Sequence, residues 1–338
     1  MEKRQLNGSQ LHIKSSQPRG AHNVLVTSAS RKAPLLRAMQ EAARRVHPDA
    51  RVIAGDLDPE APARYVADGF WNMPRLSDAE LPALINGCHE RGIAVILPTR
   101  DAELLFWARH RATLSEAGIS VIVSDTVAVE RCLDKLAFAH FGAEAGLPVI
   151  QAETAPEAVG PGPYVVKERF GAGAQAIGLD LSLDAARSHA KMLDSPIYQP
   201  FVPGPEISID GWVDRSGAVA GVLLRRRDRV IAGESQVTTT FRSETLEHEA
   251  VRALEALGLR GPVMLQAILL NDDDMRIIEC NSRFGGASTA AIAAGLDLLY
   301  WSLVEAFEQG PVPEFKRTAG EVRLVRLPVD LVFHDPDF

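Results

Sequence analysis

Between Asn23 and Ser124 short apolar runs alternate with amphipathic ones, and this alternation constrains the fold more than any other feature of the chain. "NVLVTSAS" ends in small polar residues and is followed by "RKAPLLRAMQEAARRV", in which Leu35, Leu36, Met39 and Val46 recur at roughly helical spacing. "ARVIAGDLD", "IAVILPTRD" and "ISVIVSD" read as further strands, with helices over "DAELPALINGCHERG" and "DAELLFWARHRATLSEAG" between them. Such a pattern predicts an α/β domain over residues 22–124, a parallel sheet with helices on both faces. Ligands of open parallel sheets meet the carboxyl ends of the strands. Those ends carry Ser28, Ser30, Arg31, Asp56, Thr99, Arg100, Asp101 and Glu103.

The chain before this domain, residues 1–21, has no apolar core that could act as a secretory signal, and it reads as a disordered tail. After it, a helix over "ERCLDKLAFAHFGAEAG" leads into "YVVKERFGAGAQAIGLDL", "SLDAARSHAKML" and "IYQPFV", a small α+β unit assigned to residues 125–199. Long strands then dominate residues 200–338: "EISIDGWVD", "AVAGVLLRRRDRV", "VMLQAILLND" and "DMRIIECNSR", joined by polar turns and so mostly antiparallel. Helices over "LEHEAVRALEALG" and "TAAIAAGLDLLYWSLVEAFEQG" pack on them by their apolar faces.

A formal charge of −8 argues against a general nucleic-acid or membrane-surface binder, because both need a basic face. No apolar run is long enough to span a bilayer. Three widely spaced cysteines in apolar context indicate neither a disulfide framework nor a zinc site, which suits a reducing cytoplasm. No histidine pair has metal-ligand spacing, and Trp71, Trp107, Trp212 and Trp301 sit in core-like patterns.

The chemistry concentrates in "MRIIECNSRFGGAS". Read as a strand, it places Glu279, Asn281 and Arg283 on one face and Ile278, Cys280 and Ser282 on the other. The acidic turn Asn271 to Asp274 makes a hairpin with "VMLQAILL", which brings Gln266 beside Glu279 and Asn281. One carboxylate and two amides suit a hard cation that completes its shell with water and phosphate, Mg²⁺ or in its place Mn²⁺. Arg283 has the planar fork that holds a transferring phosphoryl group. Upstream, a strand ends in Lys167 and a loop follows with Gly171 and Gly173, whose N–H groups are of the kind that wrap phosphate oxygens. It matches neither the P-loop nor the dinucleotide fingerprint. In "LLRRRDRV" Arg225 and Arg227 share a strand face, and with Glu234 they form a candidate carboxylate-binding group. Asp101 has two readings, a cap for the helix "AELL" or a substrate contact, and Glu103 shares the first of them.

In their order along the chain, Lys135, Lys167 with its glycine loop, "YQPFVPGPEISIDG", "VMLQA" and "IIECNSRFGG" resemble the ATP-grasp superfamily, most closely stand-alone relatives of the carbamoyl phosphate synthetase large chain. "SRKAPLLRAM", "AGDLDPEAPARYVADGFWNMPRLSD" and "LPTRDAELL" resemble the domain that precedes it in those relatives. The resemblance implies an α/β domain followed by an α+β ATP-grasp fold. It implies that Lys135 and Lys167 reach the ATP phosphates, that Glu168 to Ala176 form a flap over them, and that Gln199, Phe201 and Val202 meet adenine. By the same resemblance Glu206 takes the ribose, Gln266, Glu279 and Asn281 hold Mg²⁺, and Arg283 stabilises formation of an acyl phosphate. Two departures stand out: Glu168 follows the second lysine, and Ala172 and Ala174 replace a hydroxyl in the loop.

The expected activity is an ADP-forming ligase that couples a small-molecule carboxylate to an amine, with ATP and Mg²⁺, in the cytoplasm, with homodimerisation compatible. Carboxyphosphate or carbamate formation and a non-catalytic nucleotide sensor are the alternatives. Acceptor specificity is expected between the two sheets, with Arg31, Asp101, Arg225, Arg227 and Glu234 as its residues.

Overall fold

A computed structural model describes residues 22–171 and 176–334. The tail and Gly173 with its neighbours Ala172 and Ala174 lie outside the described residues. The first domain contains β1 (Asn23–Thr27), α1 (Ala33–Val46), β2 (Val52–Asp56), β3 (Gly69–Asn72), α2 (Leu81–Glu90), β4 (Ile93–Leu97), α3 (Asp101–Glu116) and β5 (Ser120–Val121). The sheet order is β3-β2-β1-β4-β5 and every pairing is parallel, as expected. Strand alternation sorts its core into two layers. Val24 and Val26 pack with Leu36 and Met39 of α1, and Leu25, Ile53 and Ile96 with Leu84 of α2 and Trp107 of α3. The short β3, "GFWN", is an addition to the sequence reading.

The second part contains α4 (Thr126–Leu133), α5 (Lys135–Glu144), α6 (Pro156–Val159), β6 (Tyr164–Glu168), β7 (Gly178–Leu181), α7 (Leu183–Ala190) and β8 (Pro196–Pro200), with an antiparallel sheet ordered β7-β6-β8. The single helix expected over "ERCLDKLAFAHFGAEAG" is two. Asp134 adopts an extended conformation and caps α5, its Oδ1 accepting from the Leu136 and Ala137 N–H groups. The break sets Lys135 at the first position of a helix.

The third part contains β9 (Glu206–Val213), β10 (Val219–Ile231), β11 (Glu234–Phe241), α8 (Glu244–Leu257), β12 (Gly261–Asn271), β13 (Asp274–Asn281), α9 (Thr289–Ala293), α10 (Leu298–Ala306) and β14 (Arg323–Val325). Its antiparallel sheet is ordered β13-β12-β9-β10-β11-β14. The other expected long helix is likewise divided, at Gly295. Its φ of +98° suits glycine, and a Cβ there would lie 2.3 Å from the Lys316 carbonyl oxygen. One face of the sheet buries Ile209, Leu224, Leu265 and Ile277 against Leu246, Ala250 and Leu254 of α8. On the other, Trp212 and Leu223 join Leu298, Leu299 and Trp301 and, through α1, the core of the first domain. Arg45 ties the same junction, pairing with Asp297 and lying 3.8 Å over the Tyr300 ring.

The β12–β13 hairpin forms as expected, but β13 does not alternate regularly. Gln266 pairs with Glu279 and Ala267 with Ile277, so Ile278 is an extra residue, a bulge. Met275 and Ile277 point into the α8-side core, and strict alternation would send Glu279 and Asn281 after them. The bulge shifts the phase, so Cys280 enters the core and Glu279 shares the opposite face with Gln266. The expected partnership of Ile278 with Cys280 is therefore corrected: Ile277 and Cys280 are the core pair.

Candidate active site

Lys167 leaves β6 on the face opposite Val166, is 5% exposed, and has Glu279, Lys135 and Glu206 as its charged neighbours. Burial lowers its ammonium to about 8, the carboxylates of Glu279 and Glu206 opposing that shift and Lys135 adding to it. Lys135 donates to the Gly171 carbonyl at 2.7 Å, and next to it Asp134 takes Arg169 in a two-pronged pair at 2.7 and 2.5 Å. The start of α5 and the entry to the glycine loop are thus pinned together, with both lysines at one place.

Glu168 points away from them. Its carboxylate accepts from the Asp194 and Ser195 N–H groups at 2.7 and 3.0 Å, closing the turn before β8. The acid that follows the second lysine is a turn clamp and not a charge set against phosphate. Glu168→Ala is expected to cost about 1 kcal/mol of stability and to leave nucleotide affinity unchanged, which thermal melts with and without MgADP will read. A tenfold gain in affinity would place the acid back at the phosphates.

Gln266, Glu279 and Asn281 come together across the hairpin. Asn281 Nδ2 donates to Gln266 Oε1 at 3.1 Å, and Gln266 Nε2 donates to Glu206 at 2.5 Å. The Glu279 carboxylate has no hydrogen-bond partner among the described residues. No group of three acidic, histidine or cysteine side chains capable of holding a metal occurs among those residues. One carboxylate and two amide oxygens fit a hard cation whose remaining ligands are phosphate and water. Mg²⁺ should therefore bind well only together with nucleotide. Calorimetry of Mg²⁺ alone is expected to show no tight binding, and a micromolar site in nucleotide-free protein would refute this donor set.

Arg283 donates to Asp101 through Nε at 2.8 Å and Nη2 at 2.5 Å, a two-pronged pair between residues 182 positions apart, and its Nη2 is 3.3 Å from Asn281 Oδ1. The two readings of Asp101 are thereby separated. Glu103 is the cap of α3, accepting from the Thr99 and Arg100 N–H groups and from Trp107 Nε1, whereas Asp101 reaches across to Arg283 beyond β13 of the large antiparallel sheet.

The remaining expected residues divide. Gln199 is buried with its amide turned to the Ile150 carbonyl, and the Phe201 N–H donates to the Pro163 carbonyl, while the Phe201 carbonyl and the Val202 backbone have no backbone partner among the described residues. Gly171 carries a φ of +104° at the mouth of the loop. Arg227 belongs beside Glu206, with which it pairs, and also donates to the Gly233 carbonyl at 2.7 Å, so it does not join Asp101. Glu234 pairs with Arg326 at 2.8 Å. Arg31 is exposed and without an ion-pair partner among the described residues.

Arg225 is turned into the interior and not to the sheet surface where a substrate was expected. It is 1% exposed and holds Asp210 at 2.5 and 3.2 Å, while Asp210 also receives the Ser288 hydroxyl. Ser288 Oγ in turn accepts from the Gly285 N–H. The pair is a buried brace under the loop that follows Arg283. Sequence reasoning missed Asp210, because an acid within "EISIDGWVD" looks like an outward residue. It also missed Lys32, considered below.

Lys167 on a small antiparallel sheet and Lys135 at the start of α5, set against an amide and carboxylate cluster on a larger sheet and preceded by a parallel α/β domain, make the arrangement of an ATP-grasp fold. The chain has the ATP-grasp fold, and family models match two separate stretches of it. Residues 24–122 match the model of the PylC-like N-terminal domain, and residues 193–327 that of the ATP-grasp in the biosynthetic pathway with Ter operon. Phosphoribosylamine–glycine ligase of Streptomyces coelicolor is 22% identical over 293 residues, 77% of this chain and 70% of that protein. Biotin carboxylase of Campylobacter jejuni, solved with β-γ-ATP, superposes with a TM-score of 0.70 at 18% identity over 89% of this chain and 74% of its own. L-amino acid ligase of Bacillus licheniformis superposes at 0.64 and 18% identity over 84% and 74%.

Proposed function

We propose that the chain is an ATP-dependent, ADP-forming ligase that phosphorylates a carboxylate and passes the acyl group to an amine. One observation carries this reading: the Arg283 fork, next to the Glu279 and Asn281 cluster, already holds a carboxylate, that of Asp101. A substrate carboxylate can take the same place one for one. Lys135 and Lys167 would hold phosphate oxygens, Glu206 the ribose, and Gln266, Glu279 and Asn281 the Mg²⁺ that neutralises the transferring phosphoryl group. Arg283 would then balance charge on the carboxylate as it attacks. Positioning and charge neutralisation suffice for this chemistry, and no protein nucleophile is required.

Two of the similar proteins are named as ligases, of phosphoribosylamine with glycine and of L-amino acids, which supports this reading, while a similar biotin carboxylase domain solved with bicarbonate keeps carbamate chemistry as the second. The clamp role of Glu168 removes the main objection to turnover, and so weighs against a sensor. The three parts would serve as an acceptor domain over 22–124, a lid over 125–199 and a catalytic sheet from 200 onward. Phosphate release from MgATP with pooled amino acids as carboxylates and amines tests the reading. Release that requires a carboxylate supports it, release with bicarbonate alone favours carbamate chemistry, and no release with intact MgADP binding favours a sensor.

A further inference from the structure

The carboxyl edge of the parallel sheet holds three acids, and all are committed. Asp56 accepts from the Ser30 and Asp58 N–H groups at 2.8 and 3.1 Å. Glu103 accepts from two backbone N–H groups and Trp107, and Asp101 from Arg283. The cations are not committed to the same degree. Lys32 is half-buried at the end of the β1–α1 loop, and its ammonium has one partner among the described residues, the Ser28 carbonyl at 2.6 Å. It has capacity for two further acceptors. Its charged neighbours are Glu103, Arg283, Arg100 and Asp56. Arg100 and Arg31 are exposed and have no ion-pair partner among the described residues.

The loop that carries Lys32 is held in an uncommon conformation. Ser28 and Ser30, neither of them glycine, have φ of 47° and 41°. Backbone of this kind persists where its surroundings enforce it, and it recurs at ligand sites. Here the surroundings are Asp56 on the Ser30 N–H and the Thr99 hydroxyl on the Thr27 and Ser28 carbonyls. Lys32 is thereby fixed at the sheet edge, with Arg283 and Arg100 among its charged neighbours. A single carboxylate is enough to fill the Arg283 fork, as Asp101 shows, and would leave the Lys32 donors unused.

We propose that the substrate handled at Arg283 carries a second anionic group, a carboxylate or a phosphate, and that Lys32 and Arg100 bind it at the carboxyl edge of the parallel sheet. The inference rests on the ligase reading for the role of Arg283 and adds the class of substrate, a dianion. Diacids and phosphorylated acids fit, and a simple monocarboxylate does not fill the site.

Calorimetry on the full chain, with and without saturating MgADP, tests this using succinate, O-phosphoserine and acetate. The wild-type protein is expected to bind succinate or O-phosphoserine at least about tenfold more tightly than acetate, the preferred one identifying the second group as carboxylate or phosphate. Lys32→Met should reduce the preferred dianion to the acetate level, and Lys32→Arg should keep most of the difference. MgADP affinity should be the same in all three proteins. Equal binding of acetate and both dianions by wild type, or an undiminished preference in Lys32→Met, would overturn the site. Turnover is not read in these titrations. A protein that shows the preference but releases no phosphate from ATP would count against the ligase reading alone.

Discussion

Arg283→Lys is expected to lower carboxylate-dependent turnover by about 10²–10³-fold, the usual loss when one preorganised donor to a developing charge is removed, while MgADP affinity stays within a factor of about two. The reasoning is geometric. Asp101 occupies both prongs of the guanidinium, so the side chain is built for a planar two-oxygen partner. Lysine keeps the charge but offers no matching fork. Nucleotide affinity is spared because the phosphate cations proposed above are Lys135 and Lys167 and not Arg283. Steady-state kinetics together with MgADP calorimetry separate the two effects. An unchanged kcat would remove Arg283 from the mechanism, and an equal loss of MgADP binding would make it a nucleotide contact instead.

Asp101→Ala supplies the contrast. A helix cap would lose about 1 kcal/mol of stability and nothing else, but Glu103 is the residue that caps α3. Removing Asp101 frees the Arg283 fork, so KM for the carboxylate should change with ATP affinity untouched.

These two side chains also show where sequence reading succeeds and where it stops. The parallel domain was legible because β1, β2 and β4 are continuous apolar runs separated by helical ones, a pattern that local chemistry writes directly into the chain. The hairpin of β12 and β13 was legible from its acidic turn. β11 was not, because "ESQVTTTF" is polar. Its Thr238 and Thr240 are buried by hydrogen bonds to Arg225 and Arg226 and to the Val322 N–H, and not by hydrophobicity. The Ile278 bulge was invisible for a different reason: it is defined by register against β12, which no single strand contains. Residue types suggested a magnesium and phosphate site, but the partners of those residues are tertiary facts. Arg225 and Arg227 look alike in "RRRDR", yet Asp210 buries the first and Glu206 takes the second. Nothing near Lys32 in sequence marks it as a cation with unused donors.

Lys167 supports the second large effect. Burial holds its ammonium at about 8 in the nucleotide-free protein, against an ordinary value of 10.5. At pH 7 most of the population is charged and ready for phosphate, whereas at pH 9 most is neutral. MgATP affinity should therefore fall by up to about tenfold per pH unit above about 8, since binding must first restore the proton. The uptake of that proton makes the binding enthalpy depend on the ionisation heat of the buffer. The folding linkage has its own sign: the folded pKa lies below the unfolded one, so the contribution to stability is complete above about 10.5 and is lost as pH falls toward about 8. Lys167→Met removes a charge that burial disfavours. The variant should melt no lower than the parent at pH 7, while MgATP affinity drops by about 10²-fold, as expected for one charge-assisted contact of roughly 3 kcal/mol. Its affinity should also lose the decline above pH 8. An affinity that is flat from pH 7 to about 9.5 in the parent, or a variant that retains tight binding, would take Lys167 out of the phosphate site.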